Sequence, residues 1–89
     1  MSYNETKRKE DLVGRWITLY SVRRVNTKFG EKNVYTGSYE EADITRPENY
    51  FDFFGSAVLD EEISSFPVTI KLRKMTGKSG REYYVFEKK

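Results

Sequence analysis

The chain has no cysteine and no histidine among its 89 residues. Without cysteine, disulfide bonds and thiolate metal sites are excluded, and a reducing intracellular setting is the simplest expectation. Without histidine, the sequence lacks the most common general base and the most common metal ligand, and it can form no Ser-His or Cys-His nucleophile pair. We therefore expect no enzymatic activity, no catalytic residue, no metal site and no cofactor.

Long apolar segments are missing as well. No window approaches the roughly 18 apolar residues of a membrane span, and the N-terminus, MSYNETKRKEDLVG, lacks the apolar core of a signal peptide. These features predict a soluble, unprocessed, cytoplasmic protein with no membrane partner. A chain of this length has room for one domain with a modest core, because small domains bury only a little over ~60% of their unfolded surface.

Aromatic residues are abundant, at 16%, and charged residues make up 34%. Abundant rings are typical of a folded domain and argue against disorder. The net charge of +2 conceals a partition along the chain, since residues 1–39 have a net charge of +4, residues 40–62 of −7 and residues 67–89 of +5. Ordinary solvated faces would explain this partition, and so would a molecule with one cationic face.

Alternating β-branched and aromatic residues predict five strands. In chain order these are RWITLYSVRRV (15–25), NVYTGSYEEADI (33–44), YFDFF (50–54), VTIKLRKM (68–75) and REYYVFE (81–87). In the first strand Ile17 and Leu19 share one face, and Trp16 and Tyr20 share the other. A short helix is predicted over 57–64, where Pro67 prevents its continuation.

The predicted order, β-β-β-α-β-β, is that of the OB-fold, a five-stranded and partly open Greek-key β-barrel. We therefore predict an all-β domain over residues 14–89, with another small barrel of the SH3-like type as the alternative. Residues 1–13 are predicted to be a flexible or partly helical arm, because they have good helix formers but almost no apolar stripe.

A resemblance to a known family also favours the OB-fold. The segments NTKFGEKNVYTG, YFDFFGSAVLDEEI and GKSGREYYVFE, in this order, resemble the small single-stranded-DNA-binding proteins of phages and mobile elements over about residues 14–87. This resemblance implies an OB-fold that coats single-stranded DNA in replication or recombination, in the host cytoplasm if the protein is phage-encoded, and without enzymatic activity. The chain departs from the pattern at its acidic residues 40–43, where a binding hairpin could lie.

Sequence-tolerant binding of single strands needs cations that follow the phosphates and flat rings on which bases stack. The residues expected to contact phosphates are Arg23, Arg24, Lys28, Lys32, Lys71, Arg73, Lys78 and Arg81. The residues expected to stack on bases are Trp16, Tyr20, Phe29, Tyr35, Tyr39 and Tyr84. Because the first and fourth strands of an OB barrel are neighbours, we expect the two basic segments to converge on one groove.

Two alternatives remain open at this point. The acidic segment 40–62 could instead bind a basic protein, which would make the chain a regulatory or inhibitory module. Stacking platforms do not distinguish RNA from DNA, so an RNA-binding barrel is the second alternative. For a DNA coat we expect a homodimer that works with replication or recombination proteins, since one small barrel covers only about 4–16 nucleotides.

Overall fold

The computed structural model describes residues 4–89, and most of its regular structure is β-strand. The elements, in chain order, are β1 (Glu5–Thr6), α1 (Lys9–Leu12), β2 (Trp16–Thr27), β3 (Gly30–Tyr39), β4 (Phe51–Phe54), α2 (Ala57–Glu62), β5 (Val68–Thr76) and β6 (Glu82–Lys88), with a 3-10 turn at Pro47–Asn49. No helix in residues 4–89 is long and apolar enough to cross a membrane.

All six strands form one sheet in the order β1-β4-β3-β2-β5-β6. Every pairing is antiparallel except that of β1 with β4, which is parallel. The all-β prediction is confirmed, but the sheet has six strands and does not close, so it departs from the predicted five-stranded barrel. The extra strand is two residues long, and such a short pairing leaves no periodicity that a sequence pattern could reveal.

The N-terminal segment is hydrogen-bonded to two strands of the sheet, β4 and β5. The Lys7 amide donates to the Asp52 carbonyl of β4 at 2.8 Å, and the Gly14 amide donates to the Leu72 carbonyl of β5 at 3.0 Å. Between these two attachments Leu12 of α1 is fully buried in the core. Residues 4–13 of the predicted arm therefore belong to the packed structure, and residues 1–3 lie outside the described residues.

The core lies mainly on one face of the sheet, as the alternation of apolar residues predicted. Ile17 and Leu19 are fully buried, and so are Phe51 and Phe53 of the short strand β4. Helix α2 lies between β4 and β5, as predicted, and ends at Glu62, two residues earlier than expected. The remaining buried apolar side chains are Leu12, Val34, Tyr35, Leu59, Ile63, Ile70 and Leu72.

Strand β2 bends at Tyr20, where its register with β3 shifts between Leu19 and Ser21. Such a bulge increases the local twist and re-aims the rest of the strand. Gly37 faces this bend, and a Cβ atom at this position would lie 2.5 Å from the carbonyl oxygen of Thr18. The close approach of the two backbones therefore leaves no room for a side chain at position 37.

Candidate functional site

The most exposed aromatic side chain among the large hydrophobic residues is Phe29, at the tip of the β2–β3 hairpin, with 84% of its surface accessible. The turn that holds it is built around Gly30, whose φ of +107° favours glycine. The Thr27 hydroxyl accepts a hydrogen bond from the Phe29 amide at 3.1 Å and donates one to the Gly30 carbonyl at 2.8 Å. The turn is thus ordered while the ring lies in water.

Beside this ring is a cleft of about 480 Å³, here called the tip cleft, whose functional side chains are Lys9, Lys28, Phe29, Lys32 and Phe54. Lys9 is the first residue of helix α1. Its ammonium group donates hydrogen bonds to the carbonyls of Phe54 at 3.0 Å and Gly55 at 3.4 Å. Phe54, at the end of β4, is 41% exposed. The tip cleft therefore combines three cations with two accessible rings.

The electrostatics of the tip cleft favour an anion. Burial lowers the pKa of Lys9, and the nearby charge of Lys32 lowers it further, while Asp60 acts in the opposite direction. Within residues 4–89 neither Lys28 nor Lys32 forms a salt bridge. Ammonium groups that repel one another favour a nearby anion, and Asp60 offsets part of this effect at Lys9.

Other predicted phosphate contacts already have protein partners. Arg24 lies 3.4 Å from Glu31, and Arg73 lies 2.9 Å from Glu87, in pairs whose side chains are all well exposed. Exposed pairs of this kind contribute only about 0–1 kcal/mol, so a phosphate can replace the carboxylate at little cost. Arg23 differs, because it pairs at 2.8 Å with Asp52, whose side chain is almost fully buried.

Asp52 is the acceptor at the centre of a polar cluster. Arg23 donates to it at 2.8 Å, the Thr36 hydroxyl at 2.7 Å and the Asn4 amide at 3.1 Å. Burial alone would raise the pKa of Asp52, but these hydrogen bonds outweigh it and hold the pKa below its ordinary value. The cluster ties β2, β3 and β4 to the N-terminal segment, and we assign Arg23 to it and remove it from the predicted phosphate contacts.

Asp52→Asn is expected to lower the free energy of unfolding at pH 7 by about 1–3 kcal/mol, because Arg23 loses its charged acceptor. The carboxylate contributes stability above its unfolded pKa, near 3.8, and this contribution is lost as the pH falls through the lower, folded value. Urea midpoints of wild type and variant should therefore differ more at pH 7 than at pH 3, because part of this contribution is lost below pH 3.8. An equal difference at both pH values would contradict this account.

Tyr35 is not available for stacking, which corrects the sequence prediction. Its side chain is 1% exposed, it stacks on Phe53 with centroids 5.7 Å apart, and its hydroxyl donates to Asp60 at 2.9 Å. Burial, followed by this hydrogen bond, raises the pKa of Tyr35 well above its ordinary value. The alternation of β3 directs the ring inward, because Tyr35 pairs with Val22 and Phe53 on the core face.

Three further predicted rings are half-buried and already in contact with protein groups. The Trp16 ring lies under the ammonium groups of Lys71 at 5.0 Å and Lys89 at 5.5 Å. Tyr20 makes an edge contact with Tyr50 at 5.5 Å. Tyr39 is covered by the guanidinium of Arg15, 3.6 Å above its centroid. None of the three is as accessible as Phe29.

The two basic segments do not converge as expected. Strands β2 and β5 are neighbours, but their antiparallel register pairs only residues 16–19 with residues 68–71. Lys71 therefore lies beside Trp16, whereas Arg73, Lys78 and Arg81 follow toward the far end of β5, away from the β2–β3 tip. The sequence indicated the correct neighbours but could not supply the register.

Lys9 and Phe54 are functional candidates that sequence reasoning missed. Lys9 belongs to a segment predicted to be an arm, and Phe54 was not among the predicted stacking residues. The alternation of β4 contained a usable signal, since Phe51 and Phe53 fill the core and Phe54 must then point to the opposite face.

Models of known families, curated proteins and solved structures were compared with this chain, and none of them matches it.

Proposed function

We propose that the protein binds single-stranded DNA without enzymatic activity and with little sequence preference, and that the tip cleft is where binding begins. The observation that supports this proposal is the exposure of Phe29 beside Lys28 and Lys32. Leaving a large apolar ring in water has no benefit for folding, whereas a base can cover it. Stacking contributes about 1–3 kcal/mol per base and is independent of sequence, since every base has a π-face.

Within this proposal the fold is an open relative of the OB barrel. The strands β4, β3, β2, β5 and β6 are consecutive neighbours in the sheet, and α2 precedes β5. The clearest departures are the added strand β1 and the open seam between the sheet edges. Homodimerisation, a role in replication or recombination and a cytoplasmic location remain proposals that follow from coating a long strand.

A protein-interaction role for the acidic segment has less support. Glu40 pairs with Lys89, Glu41 with Arg15 and Glu48 with Arg46. Asp43 accepts hydrogen bonds from the amide and the hydroxyl of Thr45. The ion pairs of Glu40, Glu41 and Glu48 weaken the attraction of these three carboxylates for a distant basic partner.

The test is fluorescence anisotropy of a labelled oligo-dT at several salt concentrations, with duplex DNA and oligo-U in parallel. We expect salt-sensitive binding to oligo-dT that greatly exceeds duplex binding. The double variant Lys28→Ser, Lys32→Ser should flatten the plot of log K against log salt by about 1.4, or ~0.7 for each lost phosphate contact. Equal or tighter binding of oligo-U would assign the site to RNA.

The matched control replaces two exposed cations outside the cleft, Arg46→Ser and Lys88→Ser, which changes the net charge by the same amount. Its salt dependence should equal that of wild type. If both double variants lose affinity equally, binding depends on net charge and not on the tip cleft. If wild type fails to bind oligo-dT at low salt, the proposed function is wrong.

A further inference from the structure

A second cleft, here called the seam cleft, lies next to the tip cleft at the open edges of the sheet. The seam cleft is lined by Thr6 of β1, by residues 7–10 that follow it, by Phe54 and by Tyr84 of β6. Residues of both sheet edges therefore line one depression of about 370 Å³. The two clefts share Lys9 and Phe54 in their walls, so they are adjacent.

The seam cleft repeats the chemistry of the tip cleft. Its ring is Tyr84, which lies 5.7 Å from the ammonium of Lys9. Its exposed cation is Arg8, whose partners Glu10 and Asp11 are themselves exposed, so that these pairs exchange readily for a phosphate. Together the two adjacent clefts hold three rings, Phe29, Phe54 and Tyr84, and the cations Arg8, Lys9, Lys28 and Lys32.

We propose that a single strand bound in the tip cleft continues past Phe54 and Lys9 into the seam cleft, where a base stacks on Tyr84 and Arg8 contacts a phosphate. This inference rests on the proposed function and adds the path that the bound strand follows. The N-terminal segment is then one wall of the binding site, and the gap between β1 and β6 is where the strand lies.

Tyr83 and Tyr84 provide a matched pair for the test. They are adjacent in β6 but point to opposite faces, since Tyr83 pairs with Met75 and Tyr84 with Lys74. With a series of oligo-dT strands from about 4 to 16 nucleotides, Tyr84→Ala should weaken binding of the long strands at least about fivefold and leave the shortest unchanged. Tyr83→Ala should match wild type at every length.

A second variant covers the case in which Tyr84→Ala disturbs folding. Arg8 is exposed, and Arg8→Ser should reduce the salt slope by about 0.7 for long strands only, whereas Arg46→Ser should leave it unchanged. The path is wrong, and only the tip cleft binds DNA, if Tyr84→Ala and Arg8→Ser bind long strands as wild type does while the double variant Lys28→Ser, Lys32→Ser binds them more weakly. If wild type fails to bind, both proposals fail.

Discussion

Gly37→Ala should lower the free energy of unfolding by about 2–3 kcal/mol, the upper part of the range for overpacked sites. The added methyl group would lie 2.5 Å from the Thr18 carbonyl oxygen and 3.0 Å from the Leu19 Cδ2 atom. Both contacts are inside the buried β2–β3 pairing, so relief would require the two central strands to separate. Urea denaturation, followed by the fluorescence of the single tryptophan, measures the change directly.

Gly77→Ala is the control for this substitution. Its Cβ atom would meet the Arg81 carbonyl oxygen at 3.4 Å and the Tyr83 ring at 3.7 Å, which are ordinary contacts or close to them. Its effect should be within about 0.5 kcal/mol, as at most surface positions. Equal losses in both variants would show that glycine content in general, and not the approach at Thr18, determines stability.

Phe29→Ala should weaken oligo-dT binding by roughly 5- to 100-fold, because one base loses its stacking partner. The same change should leave the free energy of unfolding within about 0.5 kcal/mol of wild type, since the ring makes little contact with the core. Phe29→Trp should preserve or strengthen binding. Anisotropy titrations and urea curves on the same preparations separate the two effects.

Ile44→Ala provides the comparison for an exposed apolar side chain, because Ile44 is 53% exposed within the acidic loop. Affinity for oligo-dT should not change in this variant. A loss of oligo-dT affinity at Ile44 with none at Phe29 would place the DNA-binding surface on the acidic loop and contradict the tip cleft.

Local patterns were sufficient to predict five of the six strands and most of the core. The alternation around Ile17 and Leu19, and the Pro67 that follows α2, are encoded within a few residues, and the structure agrees with both. The orientation of the candidate binding residues, by contrast, depends on pairing between distant segments of the chain. Whether Tyr35 faces the core is determined by its pairing with Phe53, 18 positions further along the chain, and no local pattern reports such a register.

The open seam between the sheet edges could not be predicted for the same reason, because it depends on pairing between distant segments. The parallel pairing of Glu5 with Phe51 brings together segments 46 positions apart through only two paired residues. Sequence periodicity needs several consecutive residues to be visible, so the pairing and the position of Lys9 could be known only from the structure. Binding residues on irregular segments are the ones that pattern analysis misses most readily.

An open sheet also has consequences for how copies of the protein behave in concentrated solution. Strand β6 ends the sheet, so the backbone groups on its outer side have no strand partner among residues 4–89. An exposed edge of seven residues is a template on which other chains can add strands and aggregate. Glu82, Glu87 and Lys88 are exposed along it, and charged side chains of this kind oppose such growth. Substitutions that remove these charges would therefore lower solubility before they affected folding.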